Sequence, residues 1–375
     1  MRRMVAVSVA VLMFGVLVGH AVPAAGSRSV AEAATDSPRS FTVAASGDIL
    51  LHRPLWASGA RYGRATGQRF DFRPMFAFVA PLVQRADLAI CHLETPVAPP
   101  GEALSTYPLF GVPSEIAQAI AWAGYDRCST ASNHTLDRGT RGIDATLAAL
   151  DAAGVDHSGS ARSPIEAADV LLTVNGVRVA HLSYTYWFNG LRLPKGEPWR
   201  SNVLDPARVL ADVALARSWG AEYVIVSAHW GDEARHAVSA FQDRVARAIT
   251  GPGGADLVLG HHAHVVQPVG AVNGRWVVYG LGNHVSNMGA SKMFGPPSQD
   301  GAVVEIRVTE APGGGFVTGQ PVIWPTWVDR SSHVIVPLRQ ALADPTLPAA
   351  RRQVYEQSVA RTSNVVGPFL APPVG

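Results

Sequence analysis

Five apolar runs of strand length each end in residues that can bind a metal. Phe41–Ala45 runs into Ser46-Gly47-Asp48, Leu88–Leu93 into Glu94, and Arg127–Ala131 into Ser132-Asn133-His134. Tyr223–Ala228 runs into His229-Trp230-Gly231, and Leu257–Leu259 into Gly260-His261-His262-Ala263-His264. An open α/β sheet collects its ligands at the carboxyl ends of such strands, and carboxylate, Asn and His side chains are metal donors. Around these runs, Ser114–Ala123, Arg141–Ala153, Pro206–Trp219 and Ala240–Thr250 place apolar residues three and four apart, the spacing of a helix with one buried face. The alternation predicts an α/β fold of stacked β-α-β units.

Two Asn-Gly pairs add hairpins. Asn175-Gly176 joins the run Asp169–Val174 to Val177–Tyr184, and Asn273-Gly274 joins Val265–Val272 to Trp276–Tyr279, so the sheets are expected to be mixed. Val303–Val308 and Pro321–Val328 read as late strands on a flank, and Ala349–Arg361 as a helix. His52–Pro74 and Tyr186–Asn202 show no clear period, so both read as long loops of the kind that form lids or binding loops. With 375 residues and 47% hydrophobic content, the chain can bury one large core.

The N-terminus has Arg2 and Arg3, then the apolar stretch Met4–Val18, then small residues around Val22-Pro23-Ala24 and Ala31-Glu32-Ala33. This is the three-part pattern of a secretory signal, and the apolar stretch is short for a bilayer span. The expectation is an exported protein, secreted or held at the membrane by an uncleaved N-terminus. Residues 1–34 are then signal and linker, 41–330 the main domain and 331–375 a C-terminal extension.

A net charge of +2 with no basic run argues against a nucleic-acid partner. The two cysteines, Cys91 and Cys128, stand near the ends of two strands. They read as two buried thiols, a common environment for cysteine, and a disulfide would require the strands to be neighbours.

Singly, most of the polar clusters have ordinary explanations. Gly-Asp is a common turn and cap pair, and Asn133-His134 could cap the helix that follows. His262-Ala263-His264 is sharper, because alternate residues of an extended chain face the same way and can bring two imidazoles to one pocket. Glu94 matters as the carboxylate that could bridge two ions. Asp137, Asp232 and Glu233 read as solvated loop acids, the other role open to them being to orient the imidazoles.

Taken in order, the motifs resemble a known family. They are Gly47-Asp48, Leu93-Glu94-Thr95-Pro96, Ala131-Ser132-Asn133-His134 with Asp137 and Gly139, His229-Trp230-Gly231-Asp232-Glu233, Gly260-His261-His262-Ala263-His264 through Pro268, and Gly280-Leu281-Gly282-Asn283. The chain from Phe41 to Val285 resembles the CapA-like, poly-gamma-glutamate capsule synthesis family, itself similar to calcineurin-like metallophosphoesterases. The resemblance implies a four-layer αββα sandwich outside the cytoplasm, serving to make, export or attach an anionic γ-linked glutamate polymer or a related surface polymer. The polymer or its membrane synthase would be the partner.

By that resemblance Asp48 and His264 hold one divalent ion, while Asn133, His229 and His262 hold another. Glu94 bridges them or joins the second, and His134 is the proton donor or the oxyanion stabiliser beside Asn133. The ligand set suits Mn, Fe or Zn, and the chemistry implied is hydrolytic. One departure stands out: where the family of phosphoesterases has a His two residues after the first Asp, this chain has Leu50, with His52 as the nearest substitute. Two other readings stay open. One is a secreted metal-dependent phosphoesterase with no polymer role, and the other is a non-catalytic accessory subunit of a membrane synthase.

Overall fold

The apolar runs form strands whose residues are buried on both faces. The computed structural model describes residues 37–289 and 294–374. The chain begins β1 (Ser40–Ile49), α1 (Arg53–Thr66), α2 (Arg73–Phe76), α3 (Ala80–Val83), β2 (Leu88–Leu93), α4 (Glu115–Ala123), β3 (Arg127–Ser129), α5 (Gly139–Ala153) and β4 (Asp156–Ser158). A second series follows: α6 (Pro164–Ala167), β5 (Leu171–Val174), β6 (Val177–Thr185), α7 (Pro206–Ser218), β7 (Tyr223–His229), α8 (Ala240–Ile249), β8 (Leu257–His261), β9 (Val269–Val272) and β10 (Arg275–Val278). The chain then returns to the first sheet with β11 (Asn283–Val285), β12 (Asp300–Glu310), β13 (Phe316–Thr318), β14 (Val322–Asp329) and β15 (Val334–Pro337), and ends in α9 (Leu338–Ala343) and α10 (Ala349–Val366).

The large sheet has the order β15-β14-β12-β1-β2-β3-β4, with β11 beside β1 and β13 beside β12; the small sheet runs β5-β6-β7-β8-β10-β9. Both are mixed. The expected hairpins are present, with Asn175-Gly176 and Asn273-Gly274 all at positive φ, as a two-residue hairpin turn of this type requires.

Three apolar cores separate four layers. Val43, Leu88 and Ile90 of the large sheet meet Val179, Ile225 and Leu257 of the small one. On the far side of the large sheet, Ala89 and Leu93 belong to a core with Phe76, Ile116 and Ile120. On the far side of the small sheet, Val224 and Val258 belong to a core with Val209, Val213, Val245 and Ile249. The result is the expected αββα sandwich.

Three expectations need correction. His52–Pro74 is not one long loop, because it contains α1, which closes at a left-handed Gly67. The buried face of α1 includes Ser58, Gly59 and Gly63 beside Leu55 and Trp56, so its core side is too poor in large apolar residues to show a period. The boundary at residue 330 runs through a hairpin: β15 pairs with β14, and Tyr355 of α10 packs its ring 5.5 Å from that of Trp327. Residues 331–374 therefore belong to the main domain. Finally, Cys91 and Cys128 are register partners on the adjacent strands β2 and β3 and form a disulfide, with Cα atoms 4.5 Å apart, instead of two free thiols. The proposed signal lies outside the described residues. Among the described residues, no helix is long and apolar enough to cross a membrane.

Candidate metal centre

Asp48 is aimed by an irregularity in β1. The register with β2 shifts between Ala45 and Asp48, as a bulge does when it redirects a side chain. Gly47 permits this, since a Cβ there would overlap the Gly282 carbonyl, which accepts the Asp48 backbone N–H at 2.8 Å. Asp48 Oδ2 accepts from the His262 backbone N–H at 3.2 Å and lies 3.1 Å from His264 Nδ1. Its other oxygen stands 3.3 Å from His261 Nδ1 without hydrogen-bonding to it.

Glu94 follows β2 directly and is buried. Neither of its carboxylate oxygens has a hydrogen-bond partner, and Oε1 is 3.6 Å from His264 Nε2. Burial, reinforced by Asp48 and opposed by His264, holds the Glu94 carboxyl well above the usual range. Burial also pushes Asp48 upward, but His261 and His264 outweigh it and keep that carboxyl well below the usual range. Burial lowers His264, yet Glu94 and Asp48 outweigh it and raise the imidazole to about 10. Without metal, a cationic His264 thus supplies the positive charge beside the ionised Asp48.

The other sheet delivers His229 from the end of β7. Its Nε2 is 3.0 Å from Asn133 Oδ1, and its Nδ1 is 2.9 Å from His92 Nε2. His92 Nδ1 in turn meets Ser129 Oγ at 2.8 Å. Burial, with neighbouring imidazoles, lowers both His92 and His229 well below their ordinary value, so both are neutral and can act as ligands or relays. The turn carrying Asn133 is tied down by Ser132, whose hydroxyl donates to the Glu94 carbonyl at 2.6 Å and accepts the His134 N–H at 3.1 Å. His134 Nδ1 donates to Asp137 Oδ2 at 2.7 Å, and the same oxygen accepts the Phe110 N–H at 2.7 Å. Asp137 is therefore a buried partner and not a solvated acid.

His262 and His264 do converge, with ring centroids 5.8 Å apart, but not by strand alternation. Strand β8 ends at His261, and His262 and His264 have φ of 90° and 56°. Non-glycine residues held there cost on the order of 1–3 kcal/mol each, and such strain gathers at functional sites. Burial, with the charge of His264, lowers His262 to about 3. Its Nε2 meets the Tyr186 hydroxyl at 3.1 Å, while its Nδ1 has no partner.

A cavity of about 440 Å³ opens beside this cluster, lined by Leu50, His52, Tyr107, Phe110, His134 and Glu233 among others. Leu50 is buried and offers no donor atom. His52 does not replace it. Its Nδ1 accepts the Asn287 N–H at 3.3 Å, and it stands outside every His and carboxylate group able to share an ion among the described residues. Sequence reasoning gave no site role to His92, Tyr186 or Asn283, which touch His229, His262 and His264. Nothing in their spacing marks them, because each contact spans a sheet or a long chain separation.

The donor set fits a divalent metal. Asp48 Oδ1, both Glu94 oxygens and His262 Nδ1 are buried without partners, a state that costs about 1–3 kcal/mol per group and that an ion would relieve. Asp48, Glu94 and His264 present ligand atoms within 4.8 Å of one another.

The chain is thus an αββα sandwich with a cluster of metal-binding side chains at facing strand ends. More narrowly, the chain belongs to the family of bacterial capsule synthesis proteins PGA_cap, whose model matches residues 42–288. The capsule biosynthesis protein CapA of Bacillus anthracis is 28% identical over 280 residues, which are 72% of this chain and 64% of that protein. This chain thus spans just under two thirds of that relative. The PGA biosynthesis protein CapA of Bacillus subtilis (strain 168) is 26% identical over 277 residues, 72% of this chain and 68% of that one. Among solved structures, the calcineurin-like phosphoesterase YfkN of Bacillus subtilis aligns with a TM-score of 0.46 at 15% identity, over 87% of this chain and 97% of that one.

Proposed function

We propose that this protein acts outside the cytoplasm in making, exporting or attaching an anionic surface polymer of the poly-gamma-glutamate type, through a divalent-metal centre. Family membership and the relatives named for capsule and PGA biosynthesis support the polymer role. The signal-like N-terminus supports export. The observation that carries the metal centre is Glu94, a buried carboxyl with two unpartnered oxygens facing His264 and beside Asp48.

In this reading Asp48, Glu94 and His264 hold one ion, and Asn133, His229 and His262 hold the other. A bound divalent ion would supply Lewis-acid polarisation of a phosphoryl or acyl oxygen. His134 lines the cavity with its Nδ1–H committed to Asp137, so its Nε2 is the atom at which a proton can be held for a leaving group. Phe110 meets the His134 ring edge to face at 4.7 Å, which limits the imidazole to one orientation and shields it from water. The test is deletion of the gene with measurement of surface polymer, then complementation by the wild type and by Asp48→Ala. Polymer should vanish on deletion and return only with the wild type. Unchanged polymer after deletion would remove the role.

One observation favours the second reading, a metal-dependent phosphoesterase with no polymer role. The cavity has aromatic walls at Tyr107 and Phe110 and the acid Glu233, but among its described lining neither Lys nor Arg. Those aromatic walls suit a small ester with an apolar group. Phosphate-ester turnover that requires Asn133 and His229, in cells whose polymer is unaffected by deletion, would decide for it.

A further inference from the structure

The loop after β7 carries an acid that the metal centre described above does not use. Trp230 is fully buried, and its indole N–H donates to the Tyr279 carbonyl at 3.0 Å. Gly231 turns the chain at a φ of 93°, and Ala234, at a φ of 57°, donates its N–H to the Ala263 carbonyl at 2.8 Å. The loop is thereby fastened at both ends over the turn that bears His262 and His264. Between the fastenings, Asp232 is exposed, while Glu233 is half-buried and lines the cavity.

The carboxylate of Glu233, His262 and His264 each present a ligand atom within 4.8 Å of the others. No hydrogen bond or ion pair engages the Glu233 side chain among the described residues, although cationic Arg235 follows two residues later. His262 Nδ1 is also without a partner, in a side chain only 2% exposed. A half-buried carboxylate held unpaired against an orphaned imidazole nitrogen is an arrangement that a cation resolves, since carboxylate and imidazole together favour transition metals over Mg. Leu50, on the same cavity, contributes no donor.

We infer that Glu233 is a metal ligand, joining His262 at the divalent transition ion on the cavity side of the centre, beside His264. This inference rests on the metal-centre reading above and extends its ligand set. It also gives the left-handed backbone of Ala234 a purpose: with the turn at Gly231 it holds the carboxylate where a freely hydrated loop acid would not stay.

The test is titration of the metal-free full-length chain with Mn²⁺ and with Zn²⁺ by calorimetry, for the wild type, Glu233→Gln, Glu233→Asp and Asp232→Asn. Glu233→Gln should lose one class of sites, or weaken it by more than the ~10–100-fold that removal of an outer-shell partner costs. Glu233→Asp, which keeps the charge on a shorter arm, should fall between Gln and wild type, and Asp232→Asn should match the wild type. Near-ultraviolet circular dichroism of the metal-free variants checks that each is folded, and Glu233→Asp keeps the test alive if Glu233→Gln is not. Wild-type stoichiometry and affinity in both Glu233 variants would overturn the inference and leave the metal-centre reading standing. No metal bound by the wild type would overturn both.

Discussion

His229 Nε2 lies 3.0 Å from Asn133 Oδ1, joining the small sheet to the turn after a strand of the large one. An amide oxygen only accepts, so in the metal-free protein the proton sits on Nε2. His229 Nδ1 then accepts from His92 Nε2–H, and His92 Nδ1 accepts from the Ser129 hydroxyl. For His229 to offer its Nε2 lone pair to an ion, the polarity of this chain must reverse. That is feasible, because the Ser129 hydroxyl has a second acceptor in the Cys91 carbonyl at 3.2 Å. His92 can serve both states because its ring is able to donate or accept at either nitrogen.

His92→Phe should therefore cost about 1–3 kcal/mol of stability, the penalty for a buried polar group left unpaired. It should also weaken metal binding by ~10–100-fold, as loss of a ligand's outer partner does. Urea unfolding and metal titration measure the two effects separately. Wild-type metal affinity in a folded His92→Phe protein would show that His229 does not depend on this support.

Glu94 sets stability against function. Because its carboxyl is buried with both oxygens unpartnered, Glu94→Gln should leave the metal-free protein as stable as the wild type or more so. The same change should abolish most of the rise in thermal midpoint on adding Mn²⁺. The comparison is two melting curves per protein, with chelator and with metal. A metal-free variant less stable by more than ~1 kcal/mol would contradict the idea that Glu94 is retained for its ligand role.

Asp137 holds His134 from behind, so its amide should be felt in turnover more than in folding. If the wild type hydrolyses a chromogenic phosphodiester, His134→Gln should lower kcat by ~10²–10⁴, and Asp137→Asn should cause part of that loss. Equal rates in all three proteins would exclude His134 as the proton donor.

Acid sensitivity of the metal-free fold can be assigned to a residue away from the proposed ligand set. Burial lowers His284, whose Nε2 meets the Tyr125 hydroxyl at 2.8 Å, to about 3. As pH falls below the unfolded value of ~6.5, the unfolded chain takes up a proton here that the folded chain refuses, so stability drops. Between pH 7.5 and 5 the wild type should lose on the order of 2 kcal/mol more than His284→Gln. Urea midpoints at the two pH values measure the difference, and identical losses would place the acid sensitivity elsewhere.

Much of the architecture follows from the chain itself. Runs such as Tyr223–Ala228 are apolar but for Ser227, the near-continuous pattern of a strand covered on both sides. The helices beginning at Pro206 and Ala240 show their buried faces in their spacing, and each Asn-Gly pair specifies its own turn. The residues gathered at the centre were legible for the same reason, since Asp48, Glu94, His229 and the 262–264 turn all directly end or follow strands.

What tertiary structure decided is how the two sheets face each other. The contact of His92 with His229 spans 137 positions and that of Asp48 with the His262 N–H spans 214; no local pattern encodes either. The disulfide depended on β2 and β3 being neighbours in register, and Glu233 reaches the cluster only because its loop is fastened across the His262–His264 turn. Periodicity reports which face of an element is buried, because burial repeats with the backbone. It cannot report which partner lies opposite, because that is set by packing the elements together.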